Sequence, residues 1–390
     1  VRSAIRRIRG NSWGPVLVVF GAWKTVMVVA MGFSVLRIHE LGSPDQVLPI
    51  FNPILKASSK FDAIFYLRIA TDGYGSGASA LPVFFPLFPM TVRVLTDVLP
   101  MSPLVAGYLL NTVASFFAML SLYLLADDLF GDRRGAVRSL LLFAAFPFSY
   151  FLSAFYSEAL FCALTFGAFL FARRRVWWAS CVLLALATAT RFAGVVAVIA
   201  VFVEYLSSRG FSLRRLDRRA WWFLLGPLGL VAYMWYLQRH FGDALYFKNA
   251  YRYGWGFELF QPNILSTFRN ELSTLWNLLV HHRGDLTWKD AFVTESVFFG
   301  SWVLGAAAIG SAVRKIPVSY VVYGFASLLL FCLNSNFISV NRFLVPLFPL
   351  FLIGVAHTRR SETAYSLLLA SSAVGLGVFL TMFSNGFWTG

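Results

Sequence analysis

The sequence predicts an all-α polytopic membrane protein, and three observations carry that prediction. The 390 residues are 58% hydrophobic, 17% aromatic and only 13% charged, which is more apolar surface than a soluble core can hide, so lipid must cover part of it. Apolar stretches near the ~20 residues that a spanning helix needs recur from Trp13 to the C-terminus. The short breaks between them are rich in arginine, and these basic breaks fall on one side of the threading given below. Residues 1–390 are therefore expected to form a single membrane domain.

Arg2, Arg6, Arg7 and Arg9 precede the first apolar stretch, as in the n-region of a signal peptide. That stretch, Trp13 to Leu36, is longer than a signal h-region and no A-x-A cleavage site follows it, so it is expected to remain as the first span. Ten more spans are expected near 102–130, 139–153, 155–172, 176–190, 192–207, 220–239, 291–313, 316–333, 343–356 and 363–383, about eleven in all. This threading puts the N-terminus, Arg133, Arg134, Arg138, Arg173 to Arg175, Arg209 to Arg219, Arg314, Lys315, Arg359 and Arg360 on one face. Nineteen of the 33 Lys and Arg residues lie there, which marks that face as cytoplasmic. Two long loops, about 37–101 and 240–290, fall on the other face and are expected to carry short amphipathic helices. Several middle spans have only about 15 residues, too few to cross ~30 Å at 1.5 Å per residue. They are expected to dip partway and turn inside the protein, at Tyr156 to Glu158 and near Arg191, where the turns would line a cavity.

Composition also excludes some chemistry. A net charge of +15 suggests nucleic acid, but the basic residues form short clusters between spans rather than a binding module, so no nucleic-acid partner is expected. Cys162, Cys181 and Cys332 lie in apolar segments without paired or metal-ligand spacing, so neither a disulfide nor a metal site is expected from them. No Walker motif, G-x-G-x-x-G fingerprint or D-x-D motif is present, which leaves ATP and nucleotide sugars without an obvious site.

The uncommon polar groups gather in the non-cytoplasmic half: Asp62 and Asp72 in the first loop, Glu158 and Arg191 at the turns, and Arg342 beyond a late span. The first loop reads FDAIFYLRIATDGY at Phe61 to Tyr74, followed by VFFPLFPMTVR at Val83 to Arg93. Further on stand PFSYFLSAFYSEALF at Pro147 to Phe161, the Arg191-Phe-Ala-Gly stretch, and NRFLVPLFPLFL at Asn341 to Leu352. Together these resemble the PIG-V family, the second mannosyltransferase of glycosylphosphatidylinositol assembly and its bacterial relatives. In that family the first lumenal loop reads like W-D-x-x-x-Y/F-x-x-I-A-x-x-G-Y followed by F-F-P-L-Y-P. The resemblance covers about three quarters of the chain. Phe61 departs from the usual Trp, the acidic residue between G-Y and F-F-P is absent, and Tyr251 stands in place of a glutamine.

The resemblance implies a GT-C-type bundle and an inverting glycosyltransferase. It also implies a polyprenyl-phosphate sugar as donor, a lipid-linked glycan or glycolipid as acceptor outside the cytoplasm, and an aspartate of the first external loop as base. Asp62 matches that aspartate, and Tyr66 of the same motif is carried over as a substrate contact. Mannose as the sugar is implied by the resemblance alone. A lipid-borne donor agrees with the missing nucleotide motifs. No cofactor is implied with certainty, and a divalent metal is left open.

On physical grounds a loop carboxylate facing a wet cavity stays ionised and accepts the acceptor's proton. The other reading of Asp62 is an N-cap for the helix beginning at Ala63. Asp72, beside Gly73, reads as a turn residue. Glu158, a carboxylate in an apolar run, either binds a sugar hydroxyl or pairs with Arg191. A phosphate leaving group departs as an anion and needs cations, so Arg342 and Arg191 are candidates to grip the donor phosphate, against snorkelling or internal salt bridging. Lys248 and Arg252 in the second loop are weaker candidates of the same kind. Adjacent His281 and His282 rarely face one site and are set aside. Pro82, Pro86 and Pro89, interleaved with Phe84, Phe85 and Phe88, suggest a groove for the polyprenyl tail or an aromatic belt.

Two rival functions remain at the level of sequence. The same machinery could take arabinofuranose, galactose or glucose. A lipid or glycolipid transporter would show matched repeats around midplane broken helices, and no repeated half is visible. Arginine outnumbers lysine 27 to 6, a bias that points to a GC-rich bacterium and its plasma membrane. A eukaryotic chain would sit in the endoplasmic reticulum.

Overall fold

The computed structural model describes residues 13–37, 52–75, 80–256, 258–260, 263–281, 286–334 and 336–389. Arg2, Arg6, Arg7, Arg9 and His282 lie outside the described residues, within which every regular element is helical. In chain order the first are α1 (Trp13–Arg37), α2 (Pro53–Ser58), α3 (Ala63–Asp72), α4 (Leu87–Val98), α5 (Pro103–Phe130), α6 (Arg133–Ala144) and α7 (Glu158–Arg173). Next come α8 (Trp177–Thr190), α9 (Gly194–Ser207), α10 (Leu228–Phe241), α11 (Tyr246–Trp255) and α12 (Ile264–His281). Last are α13 (Leu286–Ser311), α14 (Val318–Cys332), α15 (Val340–Phe343), α16 (Pro349–Thr358) and α17 (Glu362–Ser384).

Among the described residues, five segments are long and apolar enough to cross a membrane: Trp13–Leu36, Pro103–Phe130, Arg218–Phe241, Ala291–Ser311 and Glu362–Ser384. On α1 one stripe, Val16, Trp23, Met27, Met31 and Ser34, is buried, while Leu17, Val18, Val26, Val29 and Phe33 are exposed. A helix apolar on both its protein and its outer face is one that lipid covers. α7 differs, with twelve of its sixteen residues buried, as expected of a helix enclosed by neighbours; it packs against α5 and α8. α10 approaches α8 so closely at Gly229 that a Cβ there would overlap the Ala185 carbonyl, a small-residue contact of the kind that lets membrane helices meet.

Six expected spans correspond to helices too short to cross alone: α6, α7, α8, α9, α14 and α16. Two expected boundaries are corrected. The stretch 139–153 is not one helix: α6 ends at Ala144, and residues 145–157 form turns with a single 3-10 turn at Ser149–Leu152. Pro147 has no N–H to offer and disfavours helix in the residue before it. The stretch 343–356 is likewise broken, with α15 ending at Phe343 and α16 beginning only at Pro349, because Pro346 and Pro349 interrupt the ladder.

The bundle has two chemically distinct ends. At one, ion pairs tie the basic loops together: Arg138 and Arg134 to Glu362, Arg359 to Asp132, Arg173 to Glu204, and Arg174 to Asp128. At the other, the ends of α7, α8 and α14 stop short. At 1.5 Å per residue, α7 and α8 rise about 24 and 21 Å, less than the ~30 Å hydrocarbon thickness. The turns that precede α7 and follow α8 at this end therefore lie below that surface, and the start of the first-loop helix α3 packs down over the first of them through Tyr156 and Ser157.

Candidate active site

Polar residues inside α5 fix the turn that precedes α7. Asn111 Nδ2 donates to the carbonyls of Ala154 at 2.5 Å and Tyr156 at 2.9 Å, and Ser115 Oγ donates to the Leu152 carbonyl at 2.9 Å. Backbone groups freed where α6 ends must find partners at this depth, and these side chains supply them. The fixed turn then holds the first loop. Phe155 N donates to the Ser58 carbonyl at 2.8 Å, the Tyr156 hydroxyl donates to the Lys60 carbonyl at 3.0 Å, and the same hydroxyl accepts from Asp62 N at 3.2 Å.

Asp62 is thereby set at the start of α3. It occupies the N-cap position, but its carboxylate makes no capping hydrogen bond. Instead Oδ2 accepts from Arg342 Nη1 at 2.7 Å. Phe61, just before it, sits at φ 52°, a left-handed conformation that costs a non-glycine residue roughly 1–2 kcal/mol. Its ring is held by Phe383 at 5.8 Å and Trp388 at 5.0 Å, contacts that offset the strain and turn the aspartate inward.

Arg342 lies on α15 and Arg191 at the extended C-cap of α8. Between them is Glu158, the first residue of α7, fully buried. Its Oε1 stands 2.5 Å from Arg191 Nη1 and 3.0 Å from Arg342 Nε. Two carboxylates thus balance two guanidiniums. The Phe343 ring lies 4.5 Å from the Arg191 guanidinium and 4.8 Å from that of Arg342, which adds cation–π attraction in a desolvated place. Ser157 joins the network, with Tyr66 Oη at 2.8 Å and Arg191 Nη1 at 3.5 Å from its Oγ. Burial, foremost, pushes the Tyr66 phenol above its ordinary range, with Arg191 pulling against it.

Asp62, Arg342, Arg191 and Tyr66 open onto a cavity of about 560 Å³, within the range of small-ligand sites, roughly 300–1,000 Å³. Glu158 does not line it. One wall is aromatic and includes Phe84, Phe85, Phe192, Phe247 and Phe260. Tyr74 and Tyr233 pin that wall by donating to the carbonyls of Phe84 at 2.6 Å and Pro82 at 2.7 Å. Phe88 is buried in the core.

Tyr251 of α11 also faces the cavity; burial raises its phenol, and the charges of Arg342, Asp62 and Arg191 all reach it. Lys248 and Arg252 on the same helix are exposed and outside the lining, and Arg252 lies 3.7 Å from Glu258. Asp72 ends α3, exposed, beside Gly73 at φ 80°. Among the described residues, no cluster of three or more His, Cys, Asp or Glu side chains has the arrangement of a metal site.

Sequence reasoning passed over Asn111, Ser115 and Ser157, the cavity-lining Asn334, Asn336 and Ser339, and Trp388. Asn111 had a usable signal, a lone amide inside a 28-residue apolar helix, since polar groups in such runs pair or function.

A family model described as Mannosyltransferase (PIG-V) matches residues 24–225. The rat protein GPI alpha-1,6-mannosyltransferase 2 is 36% identical over 191 residues, 47% of this chain and 37% of that protein. Its human counterpart is 35% identical over the same length and shares. The matched stretch is thus little more than a third of those relatives. Among solved structures, apo ArnT from Cupriavidus metallidurans aligns with a TM-score of 0.51 at 15% identity, over 92% of this chain and 62% of its own. The apo oligosaccharyltransferase of Archaeoglobus fulgidus aligns with a TM-score of 0.52 at 12% identity, over 98% and 57%. At such identities the likeness is one of fold, the helical GT-C fold of membrane glycosyltransferases.

Proposed function

The chain belongs to the PIG-V mannosyltransferase family, and on that premise we propose an inverting transfer of mannose from polyprenyl-phosphate mannose to a lipid-linked glycan or glycolipid on the non-cytoplasmic face. The observation that carries this reading is the buried Asp62–Arg342–Glu158–Arg191 network, three of whose members, Asp62, Arg342 and Arg191, line an aromatic-walled cavity.

In the proposed reaction an acceptor hydroxyl oxygen attacks the anomeric carbon, its proton passes to Asp62, and the bond from that carbon to the phosphate oxygen breaks. Oδ2 of Asp62 is engaged by Arg342, so Oδ1 receives the proton. Polyprenyl phosphate leaves as an anion and needs no acid; guanidinium N–H groups of Arg342 and Arg191 that are not spent on Asp62 and Glu158 meet its growing charge. Glu158 acts through the arginines by fixing their planes. Tyr66 and Tyr251 are neutral donors beside the reacting sugar, and the Phe84–Phe85 wall suits the first isoprene units. Lys248 and Arg252 sit where a passing lipid headgroup would meet them, outside the cavity.

The arginine bias and the basic end of the bundle support a bacterial plasma membrane with that end cytoplasmic. The purified chain, supplied separately with polyprenyl-phosphate mannose, glucose, galactose and arabinofuranose, tests the donor. Transfer from the mannosyl lipid in clear preference is expected; preference for another sugar keeps the mechanism and discards mannose, and transfer from none discards the reading.

A further inference from the structure

After α17 the chain folds back over the site. Asn385 Nδ2 donates to Ser34 Oγ of α1 at 2.6 Å, and four residues later Thr389 is held twice. Its carbonyl accepts from Asn341 Nδ2 at 2.5 Å, and its hydroxyl lies 2.7 Å from that of Tyr150. Asn341 immediately precedes Arg342, so this segment is tied to the phosphate-gripping helix itself. Between the two anchors, Trp388 stands half-buried in the cavity wall, edge-on to Phe61, with its ring 6.0 Å from the Arg342 guanidinium.

A buried indole N–H usually finds an acceptor, and that bond sets the ring's angle. Here Nε1 is buried and has no hydrogen-bond partner among the described residues. The ring is placed by its neighbours and by the two anchors of the segment, at the expense of its polar atom. What it offers the cavity is an apolar aromatic surface.

We propose that Trp388 is a substrate-binding residue on which a pyranose ring stacks. The assignment rests on the glycosyl-transfer reading above. A pyranose presents a patch of C–H groups on one face, slightly positive at its hydrogens, which complements the negative face of an aromatic ring. In a polyprenyl-phosphate sugar the pyranose is joined to phosphorus through one oxygen. With phosphate on Arg342, an aromatic ring about 6 Å from that guanidinium is one sugar away. The pyranose comes either from the donor or from the acceptor, both of which must reach Asp62.

The test compares wild type, Trp388→Phe and Trp388→Leu in detergent, by binding of polyprenyl phosphate and of polyprenyl-phosphate mannose and by KM for the acceptor. For a donor sugar, Trp388→Leu weakens the mannosyl lipid about five- to tenfold and leaves bare polyprenyl phosphate unchanged, with Trp388→Phe in between. A rise in acceptor KM by a similar factor, with both lipids bound as before, assigns the stacked sugar to the acceptor. Wild-type behaviour of Trp388→Leu in all three measurements overturns the assignment. So does equal loss of both lipids, which would make the ring a packing element only. A wild type that binds neither lipid overturns the functional reading together with this assignment, and the wild-type titration alone identifies that case.

Discussion

Replacing Glu158 by glutamine removes the one charge that both site arginines share. Its Oε1 lies 2.5 Å from Arg191 and 3.0 Å from Arg342. At an effective dielectric of ~20 these separations correspond to gross attractions of about 5–7 kcal/mol each, opposed by the cost of burying three ions. Glutamine keeps the shape and leaves two guanidiniums facing Asp62 alone, an excess of one buried positive charge. Breaking a buried pair in this way costs about 3–5 kcal/mol, which for a chain of 390 residues should lower the thermal midpoint in detergent by about 4–6 °C. Transfer should fall too, although Glu158 does not line the cavity, because the arginine planes are no longer fixed. In a cycle with Arg191→Gln, the double variant restores charge balance and should melt higher than the two single losses add up to. An unchanged midpoint for Glu158→Gln, or strict additivity in the cycle, would refute the reasoning.

Arg342→Lys keeps the charge but offers one ammonium where the guanidinium holds Asp62 through Nη1 and Glu158 through Nε. Losing one charge-assisted bond, about 1.5–3 kcal/mol, should cut transfer at least about tenfold, read as kcat at saturating donor. Gly107→Ala places a Cβ against the Phe155 ring, forcing the turn that carries Tyr156 and Ser157 to shift. A stability loss of about 1–3 kcal/mol with reduced transfer is expected, from thermal melts and initial rates. Glu271, buried on α12 and hydrogen-bonded to Glu295, has its carboxyl raised to about 7, by burial first and the Glu295 charge second. The folded state holds that proton more tightly than the unfolded one. Its stabilisation is therefore complete below about 4.5 and is lost as pH rises through about 7. Melting midpoints should decline across that window in wild type, and Glu271→Gln should flatten the decline.

The membrane class and the approximate helix positions were legible because hydropathy and arginine placement report on lipid contact directly. α5 matches its expected span to within a residue, since nothing in it interrupts an apolar run. The breaks at Pro147 and Pro346 were visible as residues but not weighed against the apolar runs around them. The motif drew attention to Asp62 and Arg342, yet their contact joins positions 280 residues apart, which no local pattern encodes. Lys248 and Arg252 illustrate the converse: a basic residue in a loop near a site carries no sign of which way its helix turns. Trp388 lay beyond the last span, where periodicity ends, and only the anchors through Asn341, Tyr150 and Ser34 place it.

The central claim is that Asp62 takes the acceptor's proton in a transfer from a polyprenyl-phosphate sugar. Transfer of radiolabelled mannose from a short-chain polyprenyl-phosphate mannose to extracted membrane glycolipids, by wild type and Asp62→Asn with matched thermal melts, tests it most directly. The account predicts transfer by wild type and its loss in a well-folded Asp62→Asn that still binds the donor lipid. Full activity of Asp62→Asn would contradict it.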